Sequence, residues 1–204
     1  MKLIPHYSAL CAIAVSISTA QAGTVEQAVV VAEPQMQVKD GAIQGCGYRF
    51  KSVPRSFEGL RSVLVLDTSF NVYAEGLVLL KGGAIRVAVK EGSPGQSTNT
   101  KIETFWMKAQ GEMPTRALGG KVIPAENQGY LLYGETMAAV TKLFSALAEG
   151  TPLTFGVRVK GEGLDRIYSG VAQLSDQDRE QGAQCLSDLV KQMENDLEQK
   201  VPDR

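Results

Sequence analysis

The stretch that decides the fold class is residues 77–90, which read LVLLKGGAIRVAVK. Its first four residues are apolar, and in its second half Ile85, Val87 and Val89 alternate with other residues. A period of two places every second side chain on one face of a β-strand. The Lys-Gly-Gly between the two halves is typical of a tight turn, so we expect a β-hairpin here.

Similar β-rich runs occur along most of the chain. They lie at residues 25–32, 48–50, 63–66, 69–73, 102–107, 130–133, 153–159 and 167–171. Residues 92–99 are rich in Gly, Ser and Asn and predict a polar loop, and residues 111–129 predict a second loop. We therefore expect a mostly antiparallel β-sheet or sandwich of about seven or eight strands.

Two helices are predicted in the C-terminal half and complete an α+β fold. Thr136 can cap the first, which Gly150 ends, and Ser175 can cap the second. Their apolar faces are Val140, Leu143, Phe144 and Leu147 in the first, and Ala183, Leu186, Val190, Met193 and Leu197 in the second. Gly182 is unfavourable in mid-helix, so we expect the second helix to approach the sheet closely there.

The first 22 residues have the three parts of a secretory signal. Lys2 supplies a positive charge, residues 9–17 are mainly apolar, and small residues precede a cleavage point after Ala22. We expect an exported bacterial protein, periplasmic or secreted, whose mature chain lacks a transmembrane segment. Residues 23–44 would form an N-terminal strand or arm, and residues 45–200 a single globular domain.

Two cysteines, Cys46 and Cys185, remain after removal of the signal. Cysteines of exported proteins usually pair because their compartment is oxidising. We therefore expect a disulfide that joins the start of the domain to its last helix. The alternative, a reactive thiol, lacks a histidine partner, because the only histidine, His6, is in the signal.

The same lack of histidine excludes the common catalytic triads, dyads and histidine metal sites. We accordingly expect no catalytic residues, no metal and no cofactor. Hydrolysis by a pair of carboxylates stays open, since two acids at suitable separation suffice for glycoside cleavage. The candidates are Asp67, Glu75, Glu103, Glu126 and Glu135.

The sequence thus predicts a non-enzymatic binding or accessory protein, with another envelope or extracellular protein as its partner. A net charge of −1 without Lys/Arg runs gives no reason to expect nucleic acid. The aromatics Phe105, Trp106, Tyr130 and Tyr133 are a candidate binding surface, with core packing as the alternative. The alternative functions are a subunit of a cell-envelope assembly and a carboxylate-dependent hydrolase.

We predict that the exported protein begins at Gly23. Signal peptidase cleaves after small residues, and Ala20 and Ala22 occupy the positions that it reads. Mass spectrometry of the intact exported protein tests the prediction. A membrane-bound product that retains Met1 would contradict it.

Overall fold

Ten β-strands and two α-helices make up the computed structural model, which describes residues 23–56, 58–90, 93–125 and 129–200. The predicted signal, residues 1–22, lies outside the described residues. The strands are β1 Val25–Lys39, β2 Ala42–Pro54, β3 Ser62–Tyr73, β4 Val78–Lys90, β5 Ser93–Thr100, β6 Ile102–Ala109, β7 Ile123–Pro124, β8 Leu131–Glu135, β9 Pro152–Val159 and β10 Arg166–Gln173. The helices are α1 Met137–Glu149 and α2 Asp176–Lys200.

All ten strands belong to one mixed sheet. Its order is β6-β9-β10-β1-β2-β3-β4-β8-β7, and β5 pairs with β4 next to β8. The β1–β10 pair is parallel and the other pairs are antiparallel, which confirms the predicted fold class. Residues 23–44, predicted as a strand or arm, contain β1, which pairs with strands on both sides.

The sheet bends so that its two halves face each other across the core. The rings of Phe50 on β2 and Phe155 on β9 lie 5.3 Å apart between centroids. The Tyr168 hydroxyl on β10 donates a hydrogen bond of 2.9 Å to the carbonyl of Leu64 on β3. Burial raises the pKa of Tyr168 to about 12. Apolar packing and a buried hydrogen bond thus hold the two halves together.

The hairpin predicted within residues 77–90 is wrong, because β4 runs through the two glycines without a turn. A Cβ on Gly82 would lie 2.3 Å from the ring of Phe105, and one on Gly83 would lie 2.6 Å from the ring of Tyr130. Such distances are far below van der Waals contact. The glycines therefore allow two aromatic rings to pack directly on the strand, one on each face.

The polar loop predicted at residues 92–99 is also wrong. These residues lie largely in β5, which pairs antiparallel with the second half of β4. Polar side chains favour a loop in a sequence, but they are equally compatible with a strand whose side chains face water. Residues 96–99 are all exposed.

The second predicted loop, residues 111–129, is confirmed in its described part. One short 3₁₀ helix, Leu118–Gly120, and β7 interrupt irregular backbone there.

Both helices begin as predicted. The Thr136 hydroxyl accepts a hydrogen bond from the backbone N–H of Ala139, and Gly150 ends α1 in the left-handed conformation with φ of 66°. In α2 the Ser175 hydroxyl accepts a hydrogen bond from the N–H of Asp178. In the described part of the chain neither helix is both long and apolar enough to cross a membrane.

Helix α2 is attached to β2 at three successive levels. At the first, the Tyr48 hydroxyl lies so close to Gly182 that a Cβ there would be 1.9 Å away. At the second, Cys46 and Cys185 form the predicted disulfide, with a Cα–Cα distance of 5.9 Å. At the third, the Gln192 amide exchanges hydrogen bonds of 3.0 and 3.2 Å with the backbone of Ile43. The helix therefore runs antiparallel to β2.

These attachments also correct the predicted face of α2. Leu189 is buried, whereas Val190, which we expected on the apolar face, is 50% exposed. The disulfide and the close approach at Gly182 orient the helix, so the buried side follows these two residues and not the apolar pattern alone.

We predict that replacing both Cys46 and Cys185 by Ser lowers the free energy of unfolding by about 2–5 kcal/mol, the usual effect of losing a native disulfide. The bridge spans 139 residues, so its loss frees most of the unfolded chain. Urea denaturation with and without reductant measures the effect. Reductant should destabilise the unmodified protein equally and leave the double variant unchanged. Full alkylation of both thiols in the unreduced, denatured protein would contradict the pairing.

Candidate functional site

The four aromatics of the candidate binding surface do not share one surface. Phe105 and Tyr133 are buried in the core, with ring centroids 4.6 Å apart. Trp106 is half-buried on the other face of β6, where its indole N–H donates a hydrogen bond of 2.9 Å to Asp165. Tyr130 lies on Gly83 of β4. Only Trp106 and Tyr130 are therefore partly accessible.

The sheet has an inner face, which carries the core, and an outer face. Directly opposite residues of paired strands share a face, and successive residues alternate between the two. Cys46, Tyr48 and Phe50 of β2 are buried on the inner face. Helix α2 packs on this side of β1 and β2, and α1 contacts β6 and β9. In the described part of the chain, neither helix covers the outer face of β1 to β4.

A row of β-branched side chains crosses this outer face. Val29 lies opposite Val53 on the next strand, and Val65 lies opposite Ile85. The β2–β3 register, with Ser52 opposite Leu66, brings Val53 beside Val65. All of these side chains are partly accessible.

The row continues across the parallel junction of the sheet. Val30 of β1 pairs with Ala172 of β10, and both are buried on the inner face. Their sequence neighbours therefore point outward, among them Val31, 38% exposed, and Val171, 47% exposed. We call the whole row the valine belt. It consists of Val171 on β10, Val29 and Val31 on β1, Val53 on β2, Val65 on β3 and Ile85 on β4.

An ion pair with a buried carboxylate and a partly exposed guanidinium borders the belt. Asp67 follows Val65 on the outer face of β3 and is only 4% exposed. Its carboxylate accepts hydrogen bonds from Nε and Nη2 of Arg49, at 2.7 and 2.5 Å, and from the Tyr130 hydroxyl at 2.7 Å. A two-pronged guanidinium–carboxylate contact fixes the orientation as well as the position of both groups. Two strands, β2 and β3, and the segment before β8 thus meet at one carboxylate.

The electrostatics of this cluster follow from its geometry. Burial alone would raise the pKa of Asp67, but the hydrogen bonds from Arg49 and Tyr130 outweigh burial and hold that pKa below its usual range. Burial and the bond to Asp67 raise the pKa of Tyr130. The hydrogen bond to Asp67 raises the pKa of Arg49. At neutral pH the cluster is therefore an ionised pair with a neutral tyrosine.

Further polar contacts extend this border. Lys51 pairs with Glu33 at 3.1 Å, and the ammonium group of Lys81 lies 5.1 Å from the centroid of the Tyr130 ring. Salt bridges between exposed groups contribute little to stability. Their effect here is to place charge beside the apolar row, so we call Glu33, Arg49, Lys51, Asp67, Lys81 and Tyr130 the charged rim.

The belt ends at a strand edge. Ile85 lies opposite Asn99 of β5, and β5 pairs only with β4 among the described residues. An edge strand presents unpaired backbone N–H and C=O groups, which can pair with a strand of another chain. The accessible side chains at residues 96–99 are Gln, Ser, Thr and Asn, so neither bulk nor charge protects this edge.

The carboxylates considered for hydrolysis are dispersed. Asp67 is on the outer face, whereas Glu135 is on the inner face and accepts backbone N–H hydrogen bonds from Arg116, at 2.6 Å, and Thr136, at 2.8 Å. These two buried acids therefore cannot act as a pair across one cleft. Of the others, Glu75 and Glu103 are exposed, and Glu126 lies outside the described residues.

Sequence reasoning did not identify the valine belt. A signal was present, because residues 28–32 and 63–66 are apolar at every position and not at alternate ones. Continuous apolar runs in a strand predict that both faces are covered. Here the inner face is covered by the core, while the outer face carries the belt.

Comparisons of this chain with protein-family models, with curated proteins and with solved structures find no match. Across the described ranges, no group of three or more His, Cys, Asp or Glu side chains could hold a metal ion.

We predict that Asp67→Asn lowers the free energy of unfolding by about 2 kcal/mol at neutral pH, the range for hydrogen bonds to a charged group. The folded-state pKa of Asp67 is lowered, so its stabilising contribution is complete above the usual aspartate pKa. That contribution is lost as the pH falls through the folded value. In urea denaturation the difference from the unmodified protein should therefore shrink progressively as the pH falls below the usual aspartate pKa of about 4.

Glu33→Gln is the control, since it removes an exposed ion pair on the same face and should cost less than about 0.5 kcal/mol. The special role of Asp67 would be contradicted if both variants lowered the free energy of unfolding equally. It would also be contradicted if the loss of unfolding free energy in Asp67→Asn did not change with pH.

Proposed function

We propose that this chain is an exported, non-enzymatic binding or accessory protein that docks another envelope or extracellular protein on the valine belt. The observation that carries the proposal is the belt itself, an apolar row across five adjacent strands that no described helix covers. Apolar rows on the outside of a monomer commonly mark sites of protein interaction.

The arrangement of belt and rim supports the proposal. Protein interfaces have an apolar centre, from which charged groups are largely absent, and a polar border. The belt has no charged member, and the charged rim lies directly beside it. Arg49 and Tyr130 of the rim are held by hydrogen bonds to Asp67, so these two side chains lose little conformational freedom when a partner binds.

The location outside the cytoplasm is supported by the disulfide between Cys46 and Cys185. Such bonds persist in oxidising compartments. The predicted signal adds to this support, so the partner we propose is a protein of the envelope or the extracellular space.

A second candidate function is that of a subunit in an envelope assembly. The open edge of β5 at residues 96–99 favours it, because strand addition at an open edge joins subunits in many assemblies. The belt runs to this same edge at Ile85 and Asn99. An added strand at β5 would extend the outer face beyond the end of the belt.

The test is crosslinking in the living cell, with a photoreactive benzoylphenylalanine at Val31. The proposal predicts one discrete crosslinked product heavier than the chain, whose second component mass spectrometry identifies. Adding Val171→Lys on the neighbouring strand should abolish the product, because it places a charge within the apolar row. Val190→Lys is the matched control on the outside of α2 and should leave the product unchanged.

Thermal melting of each variant checks the fold, and a change in an exposed Val should cost no more than about 0.5 kcal/mol. Three results would overturn the proposal. The first is that the probe at Val31 gives no crosslinked product. The second is that Val171→Lys and Val190→Lys reduce the amount of this product equally. The third is a product that contains only two copies of this chain. A ladder of repeated units linked through β5 would favour the assembly function instead.

A further inference from the structure

A groove of about 350 Å³ lies between the two helices, on the inner side of the sheet. One wall is the C-terminal half of α1 and the other is the first turns of α2. Its lining is mostly apolar and consists of Tyr48, Phe144, Leu147, Leu174, Ala183 and Leu186, with Ala148 and Arg179 at its margin. Pockets of about 300–1,000 Å³ with this character are typical small-molecule sites.

The groove contains one polar group that is not used by the fold. Tyr48 is only 5% exposed, and its hydroxyl lies against Gly182 of α2. This hydroxyl forms no hydrogen bond with any described residue, whereas the buried hydroxyls of Tyr133 and Tyr168 each have a partner. Among the described residues, the fully buried side-chain atoms without a partner belong to Ser52, Thr68 and Asn71. The Tyr48 hydroxyl is not one of them, so it is accessible from the groove and can form a hydrogen bond with a ligand there.

The groove also contains one positive charge. Arg179 uses Nη1 to donate a hydrogen bond of 2.9 Å to the carbonyl of Leu147, at the end of α1. A guanidinium has five N–H donors, so further donors stay free. Arg179 makes no ion pair with a carboxylate within the described ranges. Its charge is therefore available to an anion in the groove.

We propose that this groove binds a medium-chain fatty carboxylate, with the carboxylate on Arg179 and the Tyr48 hydroxyl and the chain along the apolar walls. An apolar lining with one cation and one hydroxyl complements an anion with an apolar tail. The volume is at the lower end of small-molecule pockets, so the groove suits a medium chain and not a long one.

This site is distinct from the valine belt, because the groove and the belt lie on opposite sides of β1 and β2. Either proposal can fail without the other. Ala183 lines the groove on α2 and has a small side chain, so a larger side chain at this position would occupy part of the groove.

Isothermal titration calorimetry with octanoate tests the proposal on the full mature chain. The expected result is one bound octanoate per chain. Arg179→Gln should weaken binding about tenfold, and Tyr48→Phe by several-fold, because each removes a donor to a charged group. Ala183→Leu should abolish binding by filling the groove. Gln184→Leu adds the same side chain one residue along the helix, outside the groove, and should change nothing.

Two further compounds test which chemical features of the ligand the groove recognises. Octyltrimethylammonium has the same tail with the opposite charge and should not bind. N-acetyl-leucine presents a peptide-like carboxylate and should bind more weakly than octanoate. Melting temperatures confirm that each variant is folded. No binding of octanoate, equal binding by the Ala183→Leu and Gln184→Leu variants, binding unaffected by Arg179→Gln, or tighter binding of N-acetyl-leucine would each overturn the assignment.

Discussion

The attachment of α2 to β2 determines which face of the sheet is covered. Gly182 allows the helix to touch Tyr48, the disulfide joins Cys185 to Cys46, and Gln192 bonds the backbone of Ile43. From Gly182 to Gln192 the helix rises about 15 Å. The strand residues that they contact, Tyr48 and Ile43, are five positions apart, which corresponds to about 16 Å along β2. The three contacts therefore match in spacing, and together they hold α2 on the inner face.

Two different surfaces follow from this one-sided arrangement. On the inner side the helices enclose the core but leave a groove between them, with a hydroxyl and a guanidinium at its walls. On the outer side of β1 to β4 no helix of the described chain forms a covering layer, so the side chains there must be compatible with water or with a partner. The charged groups of the rim are compatible with water, whereas the exposed side chains of the valine belt favour contact with a partner. Binding functions can therefore be sought on both sides of the same strands.

The sequence was informative where local chemistry decides the structure. Caps at Thr136 and Ser175 predict the starts of both helices, and the two cysteines that follow the predicted signal predict their own pairing. It was misleading where tertiary contacts decide. The glycines at 82 and 83 are typical of a turn, yet they serve packing, because the rings that lie on them come from distant segments. Val190 fits the helical apolar pattern, but the disulfide and Gly182 turn Leu189 inward instead.

The two surfaces are also connected through those glycines. Successive residues of a strand point to opposite faces, so the absence of a side chain at Gly82 admits Phe105 from the core, and its absence at Gly83 admits Tyr130 from outside. Tyr130 can then reach Asp67, which in turn holds Arg49 beside the belt. A side chain at Gly83 would displace the Tyr130 ring and remove one hydrogen bond from a buried carboxylate. The position of Tyr130 in the charged rim, and one of the hydrogen bonds that lower the pKa of Asp67, thus depend on the backbone of β4.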